Sequence, residues 1–247
     1  MPKLAHPVVL VTGAARRIGA VVVRRLHAEG FDIALHYHRS KAEAEAVAAE
    51  LNAIRADSVR TLCADLADDA GLTTMVGEAA HWHGRLDALV NNASTFHATP
   101  VGSIDRAAWD NLFASNARAP LFLSQAAAPH LAEHQGAIVN MVDIYAERPL
   151  RDHTVYGMAK AALVALTQSL AIELAPHVRV NAIAPGAILW PEHGKADTER
   201  DAVIAATPLK RCGDPEDIAS TVLWLLRDAT FVTGQVIRVD GGRSLVL

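Results

Sequence analysis

The sequence predicts an α/β fold: a doubly wound parallel sheet of about seven strands, flanked by helices. Short β-branched and aliphatic runs alternate with longer helical segments from one end of the chain to the other. The run Val8-Val9-Leu10-Val11 is apolar at every position, which is typical of a strand covered on both faces by helices. The predicted strands are residues 8–11, 31–37, 58–63, 86–90, 137–142, 178–183 and 235–239.

The first two strands and the helix between them form a complete strand-turn-helix-strand unit. Ile18, Val22 and Leu26 recur at every fourth position and so lie on one face of the first helix, which Gly30 is placed to end. Residues 42–51 are rich in Ala and Glu and predict the next helix over the sheet. Because the same alternation continues along the chain, we expect residues 1–247 to form one domain.

The composition is typical of a soluble globular chain: 247 residues, 51% of them hydrophobic and 20% charged, with a formal net charge of -4. A weakly acidic chain has no overall basic field, which argues against a main role in binding nucleic acid. The most apolar stretch, residues 161–174, is interrupted by polar side chains and predicts no membrane span. The first apolar run is too short and wrongly flanked for a signal peptide.

The cysteines and clustered histidines indicate neither a disulfide framework nor a metal site. Cys63 and Cys212 are the two cysteines, and they are far apart in the sequence, so we expect a cytoplasmic protein. His81 and His83 flank Trp82, but histidines two positions apart do not share a helix face. We therefore expect no bound metal.

A glycine-containing turn joins the first strand to the first helix. Thr12-Gly13 is followed, after five intervening residues, by Gly19 inside that helix. Backbone without Cβ obstruction, with free N–H groups at a helix N-terminus, suits a dinucleotide pyrophosphate. The alternative is that Gly13 simply forms a tight turn.

The end of the second strand indicates which dinucleotide would bind. An Asp or Glu there would bind the ribose hydroxyls of NAD, but residues 36–40, His-Tyr-His-Arg-Ser, contain no carboxylate. His38, Arg39 and Ser40 can instead donate hydrogen bonds to a 2′-phosphate, and Arg17 adds a second cation at the same sheet edge. Charge-assisted bonds of roughly 1.5 to 3 kcal/mol favour NADP over NAD by about ten- to a hundredfold. A solvated basic turn is the alternative.

Tyr156 and Lys160 lie four positions apart at the start of a helical stretch, so their side chains share one helix face. We expect the Lys160 ammonium to lower the pKa of Tyr156 toward the range useful for proton transfer at neutral pH. A surface pair on an amphipathic helix is the alternative.

Seven segments, by their order and spacing, together resemble the short-chain dehydrogenase/reductase family across nearly the whole chain. They are Thr12-Gly13 with Gly19, Asp65-Leu66, Asn91-Asn92-Ala93, Asn116, Tyr156 with Lys160, Pro185-Gly186 and Asp240-Gly241-Gly242. The resemblance implies a Rossmann fold, a nicotinamide cofactor and a homotetramer. The candidate cofactor-binding residues are Gly13, Arg17, Ile18, Gly19, His38, Arg39, Ser40, Asp65, Leu66, Asn92, Ala93, Ser94, Tyr156, Lys160, Pro185, Gly186 and Ile188.

Two residues depart from the general family pattern. Arg17 stands where that pattern has a second glycine, and Asp143, thirteen residues before Tyr156, stands where it has the catalytic serine. Both departures resemble the pteridine reductase branch of the family. Further segments that resemble this branch are residues 36–40, 91–96, 140–143 and 156–160. By this resemblance the protein would use NADPH to reduce oxidised or dihydro pterins, and folates, to their tetrahydro forms.

The candidate catalytic residues are Asp143, Tyr156, Lys160 and Asn116. Reduction of a ring C=N bond requires a hydride at carbon and a proton at nitrogen, and Tyr156 would deliver the proton. Asp143 could hold or reload that proton, because a carboxyl group beside a partly buried phenol can have a raised pKa. The family resemblance implies that Lys160 bonds the nicotinamide ribose and that Asn116 helps to position a water near Lys160.

The candidate substrate-binding residues surround this catalytic set. Phe96 can stack the pterin ring against the nicotinamide, which contributes roughly 0.5 to 1.5 kcal/mol beyond area burial; ordinary core packing is its alternative role. Arg17 and Ser94 can bond the ring or a cofactor phosphate. Residues 187–207 predict a substrate lid, with Leu189 and Trp190 as its apolar roof, because the segment from 190 to 207 has no obvious strand or strong periodicity.

The sequence alone leaves three other functions open. A reductase of the same branch specialised for dihydromonapterin or dihydrofolate would share the ring contacts. A general carbonyl reductase for a 3-oxoacyl thioester or a sugar predicts serine at position 143 and does not predict Phe96. A non-catalytic NADP(H) sensor would have no need for Tyr156 as a proton donor.

Overall fold

The computed structural model describes residues 6–190 and 197–247. Seven strands pair in parallel in the order β3-β2-β1-β4-β5-β6-β7, which confirms the predicted fold class. The strands are β1 (Val8–Val11), β2 (Asp32–Tyr37), β3 (Val59–Cys63), β4 (Ala88–Asn91), β5 (Ala137–Met141), β6 (Arg179–Pro185) and β7 (Val236–Val239). The α-helices are α1 (Arg17–Ala28), α2 (Lys41–Ile54), α3 (Asp69–Trp82), α4 (Arg106–Phe113), α5 (Ala119–Ala132), α6 (Thr154–Glu173), α7 (Asp197–Ala206) and α8 (Pro215–Arg227).

The strand order reverses between β1 and β4, and this reversal positions the functional site. The chain runs outward from β1 to β2 and β3 on one side, and from β4 to β5, β6 and β7 on the other. Connections that leave two neighbouring strands in opposite directions open a crevice at their carboxyl ends. Thr12 lies there at the end of β1, and its hydroxyl accepts a hydrogen bond of 3.0 Å from the backbone N–H of Asn92 after β4.

The sheet is covered by helices on both faces, as the apolar strands predict. Alternate residues of β1 enter different parts of the core: Val9 and Val11 pack in one cluster, Val8 and Leu10 in another. The first cluster contains residues of α1, α2 and α8, and the second contains residues of α3, α5 and α6. The rigid sheet therefore holds the loops at its carboxyl edge.

Strand ends differ from the prediction by at most two residues. The largest difference at a carboxyl end is in β6, which continues to Pro185 because Ala184 and Pro185 still pair with Arg238 and Val239 of β7. Proline has no N–H to give to a ladder, and β6 ends at this residue. Gly30 has a φ of +94° and follows the end of α1, as predicted.

The segment from 190 to 207 was expected to lack regular structure, and this prediction is wrong for its second half. Asp197–Ala206 forms α7, a segment rich in residues that favour helix. Its periodicity is weak because Val203 and Ile204 are only half-buried and most of the other described side chains are exposed. Residues 191–196 of the predicted lid lie outside the described residues.

Helix α6 has 20 residues and a mean hydropathy of 1.4 over its most apolar window, so by length and composition it could cross a membrane. Core helices of soluble proteins have the same properties. In this fold α6 packs on the sheet through Leu163 and Leu170, and its first turns carry Tyr156 and Lys160. Its apolar composition is therefore accounted for by burial within the domain.

Candidate active site

The loop after β5 and the first turns of α6 bring together three of the predicted catalytic residues. Asp143 precedes a short 3-10 helix, and its Oδ1 accepts a hydrogen bond of 2.9 Å from the backbone N–H of Tyr145. Its Oδ2 accepts a hydrogen bond of 2.7 Å from the Tyr156 hydroxyl. Lys160, one turn along α6, donates through Nζ to the Met141 carbonyl at 2.8 Å.

The electrostatics of this group differ from the sequence-based expectation. Burial raises the pKa of Asp143, and burial together with the Asp143 charge raises the pKa of Tyr156 well above its usual value. Lys160 was expected to lower the pKa of Tyr156, and that expectation is wrong here. The Lys160 Nζ lies 5.6 Å from the Tyr156 ring centre and bonds a backbone carbonyl, whereas Asp143 bonds the phenol directly.

The pKa shifts of Tyr156 and Lys160 determine how these two groups are protonated at neutral pH. Tyr156 keeps its proton, so in this arrangement it is a proton donor with a carboxyl group at hydrogen-bonding distance. Lys160 is fully buried, and burial lowers its pKa to about 8 although the Asp143 charge opposes the shift.

Asn116 lies in a π-helical turn, Ala114–Arg118, between α4 and α5. Its Oδ1 accepts a hydrogen bond of 2.7 Å from the Ser94 hydroxyl, and its Nδ2 donates to the carbonyls of Thr95 at 2.8 Å and Leu112 at 2.9 Å. The side chain therefore holds the loop after β4 in place. The predicted role in positioning a water near Lys160 stays a prediction.

The predicted phosphate-binding turn follows β1 at the reversal of the sheet. Gly13 has a φ of +61°, and a Cβ on this residue would lie 2.9 Å from the Ala93 Cα. Both observations require glycine at this position. The close approach joins the turn after β1 to the loop after β4, so the two loops form one wall of the site.

His36, in β2, contacts this turn and is not among the residues predicted from the sequence. Its Nδ1 accepts a hydrogen bond of 3.1 Å from the Gly13 N–H, so its proton is on Nε2, which lies 3.1 Å from the Ala64 carbonyl. Burial lowers the pKa of the ring to about 4. Because every residue of β2 is buried, no alternation in the sequence indicated that His36 contacts the turn.

Arg17 begins α1 with a φ of +54°, a left-handed conformation that glycine adopts readily and arginine does not. This explains why the general family pattern has glycine there. The Arg17 guanidinium donates a hydrogen bond of 3.2 Å to the Trp190 carbonyl, which links the phosphate-binding turn to the beginning of the predicted lid.

A cavity of about 740 Å³ lies along this edge of the sheet. Its walls include these twelve candidate cofactor-binding residues: Gly13, Arg17, Ile18, Gly19, His38, Arg39, Ser40, Asp65, Leu66, Asn92, Ala93 and Ser94. Two guanidinium groups, two hydroxyls and an imidazole are suitable donors for phosphate oxygens, and the volume is within the range of cofactor sites. The residues present therefore fit a nicotinamide dinucleotide.

One carboxylate lies beside the donors at the end of β2. The Nε2 of His38 is 3.9 Å from the Oδ2 of Asp65, which follows β3. The end of β2 itself has no carboxylate, so this one comes from a neighbouring strand. Asp65 is more than half-exposed and also accepts a hydrogen bond of 2.9 Å from the Ala67 N–H, so solvent screens its charge.

Five candidate cofactor-binding residues lie outside the walls of this cavity: Tyr156 and Lys160, which belong to the catalytic group, and Pro185, Gly186 and Ile188, which lie elsewhere. The Ile188 side chain is buried in the core, so it offers no side-chain surface to a ligand in the cavity. Pro185 ends β6, and Gly186 packs so closely on Asp240 that a Cβ would lie 2.7 Å from its Cα. The structure thus separates these residues from the predicted phosphate contacts.

Phe96 lies beside the catalytic tyrosine and is 48% exposed, so it is not an ordinary core residue. Its ring stacks on His153 with centres 4.5 Å apart and meets the Tyr156 ring edge-on at 4.8 Å. No pattern in the sequence indicated a role for His153. It reaches Phe96 because Thr99 and His153 form an isolated parallel bridge between the two loops.

The two predicted lid residues at the start of the segment are partly accessible. Leu189 is 38% exposed, and Trp190 is half-buried. The guanidinium carbon of Arg200, in α7, lies 5.9 Å from the centre of the Trp190 ring. Their predicted contact with substrate stays a prediction.

Comparison with known proteins agrees with this architecture. Residues 13–244 match the family described as enoyl-(acyl carrier protein) reductase. The chain is 40% identical to pteridine reductase 1 of Leishmania tarentolae, over 97% of this chain and 96% of that protein.

Two further relatives are reductases named for a different substrate class. The chain is 38% identical to the granaticin polyketide synthase putative ketoacyl reductase 2 of Streptomyces violaceoruber, over 97% of each chain. It is 35% identical to a 3-oxoacyl-(acyl-carrier-protein) reductase of Staphylococcus aureus, over 94% of this chain and 96% of the relative. Fold, site and similarity together show that the chain is an oxidoreductase of the short-chain dehydrogenase/reductase family.

Proposed function

We propose that the protein is an NADPH-dependent pteridine reductase that reduces oxidised and dihydro pterins, with folates as further substrates, to tetrahydro forms. The observation that carries this proposal is the 2.7 Å hydrogen bond from the Tyr156 hydroxyl to Asp143. A carbonyl reductase of this family is expected to have a serine at that position. The 40% identity to a pteridine reductase supports the same choice.

The arrangement suits the reduction of a ring C=N bond. NADPH, when bound, supplies a hydride to the ring carbon. Tyr156 gives its proton to the ring nitrogen, and the carboxyl group of Asp143, whose pKa is raised by burial, returns a proton to the phenol oxygen through their hydrogen bond. A serine hydroxyl has no acidic proton to return in this way.

Different residues around the cavity are assigned to different parts of the cofactor. Arg39, Ser40 and His38 are placed to hold the 2′-phosphate, and the turn at Gly13 is placed to hold the pyrophosphate. Lys160 is the residue we assign to the nicotinamide ribose. Because no carboxylate side chain comes from the end of β2, we expect NADPH to be preferred over NADH.

Phe96 gives the site an aromatic face that an electron-poor pterin ring can use. The ring is about half exposed and lies at right angles to Tyr156, so a flat substrate can reach both residues. Cytoplasmic location and assembly as a homotetramer belong to this proposal as well, on the basis of the two free cysteines and the family resemblance.

A reductase for 3-oxoacyl thioesters is the second candidate, because relatives with 35 to 38% identity carry names of that kind. The experiment compares NADPH consumption by the purified protein with dihydrobiopterin, dihydromonapterin, dihydrofolate and a 3-oxoacyl thioester, with NADH as the control cofactor. We expect turnover on the two dihydropterins and on dihydrofolate, and none on the thioester. Turnover on the thioester alone would refute the proposal, and tight NADPH binding without any turnover would favour a sensor.

A further inference from the structure

The backbone around Phe96 is held by hydrogen bonds on both sides of the residue. Phe96 lies in the irregular loop that follows β4. Before it, the Thr95 carbonyl accepts the 2.8 Å hydrogen bond from Asn116. After it, the buried Thr99 accepts a hydrogen bond of 3.4 Å through its hydroxyl from the Val155 N–H. The loop is therefore fixed to the beginning of α6.

The side chain of Phe96 has no such support from the core. The residue is 48% exposed, so apolar neighbours do not enclose it, and backbone contacts alone leave its ring free to change rotamer. Contacts with other aromatic rings can fix a side chain of this kind. In the described part of the chain Phe96 has two of them, the stack on His153 and the edge contact with Tyr156.

His153 is itself held by three hydrogen bonds. Its Nδ1 donates to the Arg151 carbonyl at 2.7 Å, because a carbonyl can only accept. Its backbone N–H donates to the Leu150 carbonyl at 3.2 Å, and its own carbonyl accepts from the Gly157 N–H at 2.9 Å. The imidazole therefore has a fixed plane, and the Phe96 ring lies within 15° of that plane with the ring centres 4.5 Å apart.

The stack covers one face of the Phe96 ring and leaves ring surface for a ligand. An aromatic ring has two faces, and Phe96 remains about half exposed although His153 lies on one of them. His153 immediately precedes α6 and lies three positions before Tyr156. The beginning of α6 thus determines both the orientation of the aromatic surface and the position of the proton donor.

We propose that His153 is a positioning residue for the substrate: it holds the Phe96 ring in the plane on which a flat pterin stacks beside Tyr156. The inference rests on the proposed function and deepens it. A ring that is already held in place loses little conformational freedom when the substrate binds, so more of the stacking energy contributes to affinity. A 3-oxoacyl thioester has no flat ring at its reacting end and gains nothing from this orientation.

Two substitutions separate the ring of His153 from its hydrogen bond. His153→Gln keeps an N–H donor for the Arg151 carbonyl and removes the ring, whereas His153→Phe keeps an aromatic ring and removes the donor. We expect His153→Gln to raise the KM for dihydrobiopterin about two- to tenfold, which corresponds to the loss of one aromatic pair. The kcat and the Kd for NADPH should change little. His153→Phe should restore the wild-type KM.

A double-mutant cycle tests whether His153 acts through Phe96. In a Phe96→Ala background, His153→Gln should cause no further rise in KM, because the ring that His153 positions is absent. His81→Gln is the matched control, since His81 is an exposed histidine of α3 whose Nδ1 also lies 2.7 Å from a backbone carbonyl, that of Gly77. This control should leave the KM for dihydrobiopterin unchanged.

An unchanged KM in His153→Gln, or a rise that His153→Phe does not restore, would overturn the positioning role and leave the proposed function standing. An equal rise in the Phe96→Ala background would also overturn it, because His153 would then act without Phe96. A fall in KM would mean that the imidazole competes with the substrate for the Phe96 ring, which contradicts the proposal. If the wild-type protein reduces no pterin, the proposed function fails, and the role of His153 fails with it.

Discussion

The ring of His36 ties the turn at Gly13 to the end of β3: it accepts from the Gly13 N–H at 3.1 Å and lies 3.1 Å from the Ala64 carbonyl. The bond from Gly13 requires the neutral ring, since a protonated imidazole cannot accept, and the ring then carries its proton on Nε2, which donates to Ala64. The geometry of the predicted phosphate-binding turn therefore depends on the protonation of a buried histidine.

This relationship predicts a loss of stability in mild acid. The pKa of His36 falls from 6.5 to about 4 in the folded chain, so below pH 6.5 the unfolded chain binds a proton that the folded chain excludes. The contribution of neutral His36 to the free energy of unfolding is complete above pH 6.5 and decreases as the pH falls toward 4. Between pH 7 and pH 5 we expect a loss of about 2 kcal/mol in the free energy of unfolding, measured by urea denaturation. His36→Asn should reduce this loss, and His81→Asn, at an exposed histidine, should not; equal losses in both variants would refute the assignment.

Substitution of Asp143 should separate turnover from cofactor binding. Asp143→Asn can still accept the Tyr156 hydrogen bond but has no acidic proton, and Asp143→Ser restores the residue of the general family pattern. We expect both variants to lose about a hundredfold or more in kcat for pterins while their Kd for NADPH changes little. Unchanged pterin turnover in Asp143→Ser would exclude the proposed reloading of the proton.

The pH profile provides an independent measurement of the same group. Because the mechanism requires protonated Asp143, whose pKa is raised by burial, pterin turnover should fall as the pH rises through that pKa. In Asp143→Asn the residual turnover should no longer fall over that range. A wild-type profile that rises with pH would contradict the protonated state.

Removal of the Tyr156 hydroxyl should abolish most pterin reduction. Tyr156→Phe keeps the ring that meets Phe96 edge-on, so the packing around the site is retained and the proton donor is lost. We expect a loss of about a hundredfold or more in kcat, with NADPH binding preserved in a fluorescence titration. Tyr145→Phe, which removes the hydroxyl of the neighbouring tyrosine, is the control and should retain turnover.

Arg39 should determine the choice between the two nicotinamide cofactors. Arg39→Ala is expected to raise the KM for NADPH by about ten- to a hundredfold and to leave the KM for NADH nearly unchanged, because NADH has no 2′-phosphate. Lys41→Ala is the control, since Lys41 is exposed and does not line the cavity. Equal effects of Arg39→Ala on both cofactors would show that Arg39 is structural.

Arg17→Gly should affect activity more than stability. Glycine adopts the observed φ of +54° without strain, which offsets the loss of the bond to the Trp190 carbonyl, so the free energy of unfolding should stay within about 1 kcal/mol of the wild type. The kcat/KM for pterins should fall, because the guanidinium beside the site is lost. Full activity in this variant would show that Arg17 is not needed for the reaction.

Several features of the site were predictable from short segments of sequence. The turn at Gly13 was predictable because glycine is the residue that such turns need. The structure shows the reason, since Gly13 has a positive φ and no room for a Cβ. Tyr156 and Lys160 were predictable as neighbours because their spacing puts them on one helix face. Helix α7 was missed because its partly buried residues form too weak a pattern.

The sequence by itself determined the order of strands and helices and the positions of the motif residues, because these depend on local conformational preference and on neighbouring positions. Only the tertiary structure decided that Asp143 bonds Tyr156, that His36 bonds Gly13 and that His153 stacks on Phe96. These contacts join segments that are distant in sequence, and their geometry is set by how the helices pack against the sheet. The same packing determines how deeply each titratable group is buried, and this burial shifts its pKa. No local sequence pattern indicates that burial.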